Sequence, residues 1–200
     1  MNYDHWRHSL RAMLMQWLGR HASALAAYQD AHRADPRHVE TMRAIAWLLA
    51  QQQHWREAES WLERALAQEP GGAHTWFNLG YVREQAGERA RAVEALRRAA
   101  ELDPKLDQAW YGLGMNLAHL GEHAAAAEAL RHAAGLQPMF GPVWYALGMA
   151  YHHCNQPERV TEVVHHLLTH EPQTARRLVR DAERTDLQPL VADLDMPGAA

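Results

Sequence analysis

The 200-residue chain reads as an all-α protein, a stack of paired helices built from a 34-residue unit repeated about five times. Three observations carry that reading. Prolines stand at positions 36, 70, 104, 138 and 172, each 34 residues from the last. Trp76, Trp110 and Trp144 recur at the same interval, as do Leu79, Leu113 and Leu147, and Gly80, Gly114 and Gly148. A second set follows in each unit, with Ala24, Ala58, Ala92, Ala126 and Val160 at one site and Ala31, Ala65, Ala99, Ala133 and Leu167 at another.

The unit around Trp76 shows why this pattern means two helices. Trp76, Leu79 and Gly80 lie one helical turn apart on a single face, and Ala92, Leu96 and Ala99 do the same on the helix that follows. The glycine and alanine sites remove bulk where helix axes approach, while Trp and Leu fill the space beside them. Gly87 and Gly121 fall at the turn between the helices, where positive φ is cheap for glycine. Asp103 and Pro104 end the second helix, because proline lacks an amide donor and restricts the residue before it. A lone helix pair cannot bury its apolar faces, so successive units must stack.

The recurring W-x2-L-G, the small residue twelve positions after the glycine and the closing proline resemble the tetratricopeptide repeat family. The resemblance covers residues 5–172, in units 5–38, 39–72, 73–106, 107–140 and 141–172. It implies a right-handed α-solenoid whose concave groove is lined by the first helix of each unit. Trp76, Gly80, Trp110, Gly114, Trp144 and Gly148 are then structural residues of the repeat.

The outer units depart from the pattern. In the first, His8 and Arg11 occupy the Trp and Leu sites, so its first helix is expected to be displaced or frayed. In the second, Met42, Ile45 and Ala46 substitute conservatively and Gln53 replaces the turn glycine. In the third, Arg83 stands at a site where the family prefers an aromatic, with its stem expected to pack and its charge to reach water. Residues 173–185 read as a capping helix with Leu178, Val179 and Ala182 on one side and arginines elsewhere. Residues 186–200 read as a short acidic tail, whose Leu187, Leu190, Val191 and Leu194 are candidates to lie in the groove and mask it.

A formal charge of -4 provides no basic footprint for nucleic acid. Cys154 stands alone, so no internal disulfide forms. The N-terminal residues lack the cationic and apolar regions of a signal peptide, and no apolar run reaches the ~20 residues that span a bilayer. A cytoplasmic protein without membrane insertion is expected. The phosphate-loop, nucleophile-elbow, zinc-protease and dinucleotide motifs are all missing, so neither an enzyme nor a cofactor is expected. Among fifteen histidines, His166 and His170, His119 and His123, and His152 and His153 beside Cys154 have ligand-like spacing. A closed zinc site needs four converging ligands, usually with cysteine, so these histidines read as exposed polar residues on helix ends and no metal is expected.

Function is expected on the first helices, at the residue after the Trp site and four positions further on. These pairs are Ser9 and Met13, Arg43 and Trp47, Phe77 and Tyr81, Tyr111 and Met115, Tyr145 and Met149. An aromatic at the earlier site is common in the family. The later site is usually polar, and here it holds Met, Trp, Tyr, Met and Met. The resulting strip, with Asn78 placed to bond a ligand backbone, suits an apolar segment of a partner protein. The alternative is that these side chains pack on neighbouring helices or the tail. The family's other groove, a carboxylate clamp of Lys, Asn and Arg, is present only as Arg43 and Asn78, with Trp47, Gly112 and Met115 where polar groups belong. The expectation is a non-catalytic adaptor or chaperone that binds a protein or peptide. The second reading is a self-assembling scaffold, a homo-oligomer.

Overall fold

A computed structural model describes residues 3–192, and every regular element among them is helical. The chain divides into two compact units, one ending at Pro104 and one starting at Lys105. The first contains α1 (Tyr3–Trp17), α2 (His21–Ala34), α3 (Val39–Gln51), α4 (Trp55–Gln68), α5 (Ala73–Gln85) and α6 (Arg89–Leu102). The second contains α7 (Asp107–His119), α8 (His123–Leu136), α9 (Gly141–His153), α10 (Pro157–His170) and α11 (Pro172–Asp181). A 3-10 turn (Thr185–Leu187) and α12 (Gln188–Val191) follow. In the first unit α1 packs on α2, α3 on α4 and α5 on α6, and α2–α3 and α4–α5 contacts join the pairs. In the second, α7 packs on α8, α9 on α10, and α8 on α9.

The 34-residue lattice has a conformational counterpart at both ends of each helix pair. Residues 19, 53, 87, 121 and 155, all between the paired helices, adopt positive φ whether glycine or not: Gly19 70°, Gln53 61°, Gly87 83°, Gly121 82° and Asn155 55°. The left-handed residue stops one helix and turns the chain back for the next. At the other end, Asp35, Glu69, Asp103 and Gln137 each precede a proline, have φ between -137° and -128°, and still donate their amide to the last turn of the helix before.

Close packing explains the helix-face glycines. A Cβ on Gly80 would lie 2.5 Å from Leu96 Cγ, and one on Gly114 would lie 2.5 Å from Leu130 Cγ, both on the paired second helix. Gly148 differs, because its missing Cβ is replaced by Leu178 of α11. The shorter Val164 sits 34 residues after Leu130, and α11 fills what it leaves. Trp76 and Trp144 donate their indole N–H to Pro70 and Pro138 carbonyls at 2.9 Å, tying each helix to the loop before it.

Three expectations change. α1 is an unbroken helix of 15 residues, with Ala12 fully buried at the glycine site. The Arg83 guanidinium does not reach water: it is buried, donating to Glu59 at 2.8 Å and Glu63 at 3.3 Å, because α4 presents both carboxylates one turn apart on the face it meets. The C-terminal boundaries also shift. α11 opens on Pro172 itself, a residue well suited to the first helical position, and ends at Asp181 rather than Thr185. Residues 186–192 are not an open tail: α12 packs on α11, and Leu187 and Val191, one turn apart, are buried. They are therefore unavailable to mask a groove, Leu190 is exposed, and Leu194 lies outside the described residues.

Candidate functional site

Most of the predicted strip gathers in two pockets, one inside each unit. In the first unit, α3 supplies Arg43, Ala46, Trp47, Ala50 and Gln51, α4 supplies Leu62, and α5 supplies Phe77, Asn78, Tyr81 and Val82, around a cavity of ≈ 250 Å³. The floor is apolar and buried: Ala46, Ala50, Leu62 and Val82. Trp47 and Tyr81, nearly half exposed, form the rim. The Arg43 guanidinium is held by Glu40 at 2.6 Å, one turn earlier on the same helix, which further weakens a carboxylate-clamp reading.

In the second unit, α7, α9 and α11 surround a cavity of ≈ 440 Å³. Tyr111, Met115 and Ala118 face Tyr145, Ala146, Met149 and Ala150, while His119, His123, His153, Thr174 and Arg177 complete the rim. The Arg177 guanidinium lies 4.4 Å from the centre of the Tyr145 ring, and the Tyr145 hydroxyl donates to Asp181 at 2.8 Å. Burial, with the bond to Asp181, raises the Tyr145 phenol above its ordinary pKa. The Asp181 carboxyl is held below its usual range, first by Arg180 and then by Tyr145. Arg177 at this rim is paired with Asp181 at 3.4 Å.

The two cavities use the same lattice positions, two repeats apart. Arg43, Trp47, Ala50, Gln51, Phe77, Asn78, Tyr81 and Val82 correspond, each 68 residues later, to Tyr111, Met115, Ala118, His119, Tyr145, Ala146, Met149 and Ala150. Slim methionines replace Trp47 and Tyr81 in the second, consistent with its larger volume. Both are walled by successive first helices, α3 with α5 and α7 with α9.

Of the strip's residues, Met13 belongs to neither cavity; it is exposed on α1. Ser9 is turned toward His5, 3.3 Å away. Trp76, Trp110 and Trp144 are half-buried beside the strip rather than in it, and Trp110 and Trp144 stack on His132 and His166. Histidines at ligand-like spacing likewise engage rings and carbonyls: His123 stacks on His153, and His166 bonds the Pro138 carbonyl at 2.8 Å. Sequence reasoning missed the floor residues Ala46, Ala50, Leu62 and Val82, along with His119, His123 and Arg177. For Ala50 and Ala118 the lattice held little signal, since the same site carries Gln16, Glu84 and His152 in the other units. For Arg177 it held none, because α11 lies outside the repeat.

Comparison with known proteins agrees with this architecture. Two family models described as tetratricopeptide repeat match residues 18–79 and 77–139. No curated protein sequence matches the chain. Among solved structures, MamA is similar at 22% identity and TM-score 0.75, covering 93% of this chain and 97% of that one. YrrB, described as a TPR protein with an unusual peptide-binding site, is similar at 21% identity and TM-score 0.74, covering 88% and 90%. MamA from Desulfovibrio magneticus RS-1 is similar at 18% identity and TM-score 0.74, covering 86% and 99%. With the 34-residue lattice, the helix pairs and the family matches in agreement, the chain belongs to the tetratricopeptide repeat family.

Proposed function

We propose that the protein is a non-catalytic interaction module, an adaptor or chaperone whose two pockets each receive an apolar side chain from a partner protein. The observation that carries this reading is the recurrence of one pocket design at matched positions 68 residues apart, with Ala50 and Ala118, and Val82 and Ala150, at corresponding sites and Trp, Tyr or Met beside them. Small floor residues beneath large rim residues leave space for a side chain and give it wide contact once seated. YrrB, with the same fold, is described by its peptide-binding site, which fits such a role.

An apolar anchor that is fully covered contributes roughly 1.5 to 3 kcal/mol before ordering costs. Two anchors therefore contribute about 3 to 6 kcal/mol, below the ~8 kcal/mol of a micromolar complex, which suits a weak, transient partner. The test is affinity capture with wild type and with Tyr81→Ala/Met115→Ala, which opens one rim in each unit. A partner retained by wild type and lost from the double variant, at unchanged helical content, is the expected result. Equal capture of every protein by both forms overturns the proposal.

A further inference from the structure

The N-terminal helix has its apolar side facing away from the protein. Toward α2, α1 presents Ala12 and Met15 together with half-buried polar groups: His5 Nδ1 lies 3.1 Å from the Ala31 carbonyl, and Gln16 accepts from the Tyr28 hydroxyl at 3.2 Å. The opposite side is large and apolar. Trp17 is 82% and Tyr3 69% exposed, and Trp6, Leu10, Met13 and Leu14 are between 45% and 58% exposed. α11 turns Arg176 and Arg180 outward, whereas α1 turns its large apolar residues outward.

The spacing specifies what fits there. Tyr3, Trp6, Leu10, Met13 and Trp17 are separated by alternating steps of three and four, the 3.5-residue seam of paired helices. Such a seam drifts only ~20° per heptad on a straight helix, so it stays on one side of α1 throughout. Its partner is another helix lying nearly along it.

We propose that this partner is α1 of a second copy, the two helices packing antiparallel about a two-fold axis. The seam complements itself: placing Leu10 of one copy beside Met13 of the other also places Trp6 beside Trp17, twice over, with large residues at both ends and slim ones at the centre. The area is adequate. A fully buried aromatic covers about 150–250 Å², so Tyr3, Trp6 and Trp17 leave on the order of 400 Å² exposed. Leu10, Met13 and Leu14 bring the face close to the ~800 Å² that each member of a stable complex contributes. None of these residues lines either pocket, so dimerisation and peptide capture are separable.

Sedimentation velocity at protomer concentrations up to about 100 µM tests the assignment on wild type, Leu10→Glu/Trp17→Glu and Tyr81→Ala/Met115→Ala. Both substituted α1 residues are exposed, so circular dichroism should report unchanged helix content in the first variant. Wild type and the pocket variant should sediment as dimers, and the α1 variant as a monomer with its dissociation constant raised at least ~100-fold. A wild type that stays monomeric, or a dimer that persists in the α1 variant, overturns the proposal. A dimer lost in the pocket variant also overturns it, since α1 would then be seated in a pocket of the other copy.

Discussion

The amide of Gly141 donates to the Glu171 carboxylate at 3.0 Å across thirty residues of sequence, so the first turn of α9 is capped by the residue that precedes α11. The same carboxylate accepts from the Thr174 hydroxyl at 2.8 Å. A Cβ on Gly141 would meet the Glu171 carboxylate, the far end of a flexible side chain, so a larger residue there must displace it from the Gly141 amide. One acidic side chain thus satisfies an orphan amide at the start of α9 and ties it to the Thr174 hydroxyl in the first turn of α11, the helix that carries Arg177.

Gly141→Ala displaces that carboxylate and should destabilise the protein by about 1 kcal/mol through the lost hydrogen bond to residue 141, although glycine-to-alanine changes in helices usually stabilise. Gly135→Ala, where a new Cβ meets nothing within 4 Å, should stabilise by about 0.5–1 kcal/mol. Urea denaturation of the two variants gives the contrast; midpoints that shift in the same direction would remove the carboxylate explanation.

Gln53 occupies the left-handed turn site that glycine fills at 19, 87 and 121, at φ 61°. A side chain in that region costs roughly 1–2 kcal/mol, partly offset in any comparison with glycine by the greater freedom of an unfolded glycine. Gln53→Gly should raise stability by about 0.5–1 kcal/mol, and Gly87→Ala should lower it by at least as much. A loss of stability in Gln53→Gly would show that the Gln53 side chain contributes contacts beyond its conformation.

His32 should make stability depend on pH. Burial, and secondarily the nearby Arg64, lower its pKa below 6.5, while Asp35 opposes them weakly. Its ring meets Trp61 edge-on at 4.7 Å, and its Nδ1 is buried without a hydrogen-bond partner. The unfolded chain takes up this proton near pH 6.5 and the folded chain only at lower pH, so between those values the unfolded state holds more protons. Stability should fall as pH drops through 6.5 and level off, for this group, below the folded pKa. His32→Gln should lose that component: plotted between pH 8 and 5, the difference in unfolding free energy between wild type and variant slopes on the acid side. A flat difference would show that the imidazole titrates alike in both states.

Much of the fold was legible because a repeat writes the same physical requirement several times. Trp, Leu and Gly in phase declared the buried face of each first helix, the alanines declared the second, and the prolines declared the loops. The groove was legible in part for the same reason: Trp47, Phe77, Tyr81, Tyr111, Met115, Tyr145 and Met149 all line the cavities, since helical geometry carries the residue beside a buried site onto the adjacent face. The floor residues escaped notice because an alanine in a helix reads as packing until the cavity above it is seen.

The sequence by itself determined the helix pairs, their order, the residues that pack them and the side of α3, α5, α7 and α9 that lines the cavities. Those properties follow from periodicity, which is local in the chain. Only the tertiary structure decided that Arg83 is buried between Glu59 and Glu63, that Leu178 rather than Val164 fills the space over Gly148, and that Met13 lies on an outward seam. Each depends on which non-repeating side chains meet across a helix interface, and such a meeting leaves no periodic trace. For α1 the distinction is sharpest: its apolar stripe is plain in the sequence, but that the stripe faces away from α2 is known only once the helix is packed.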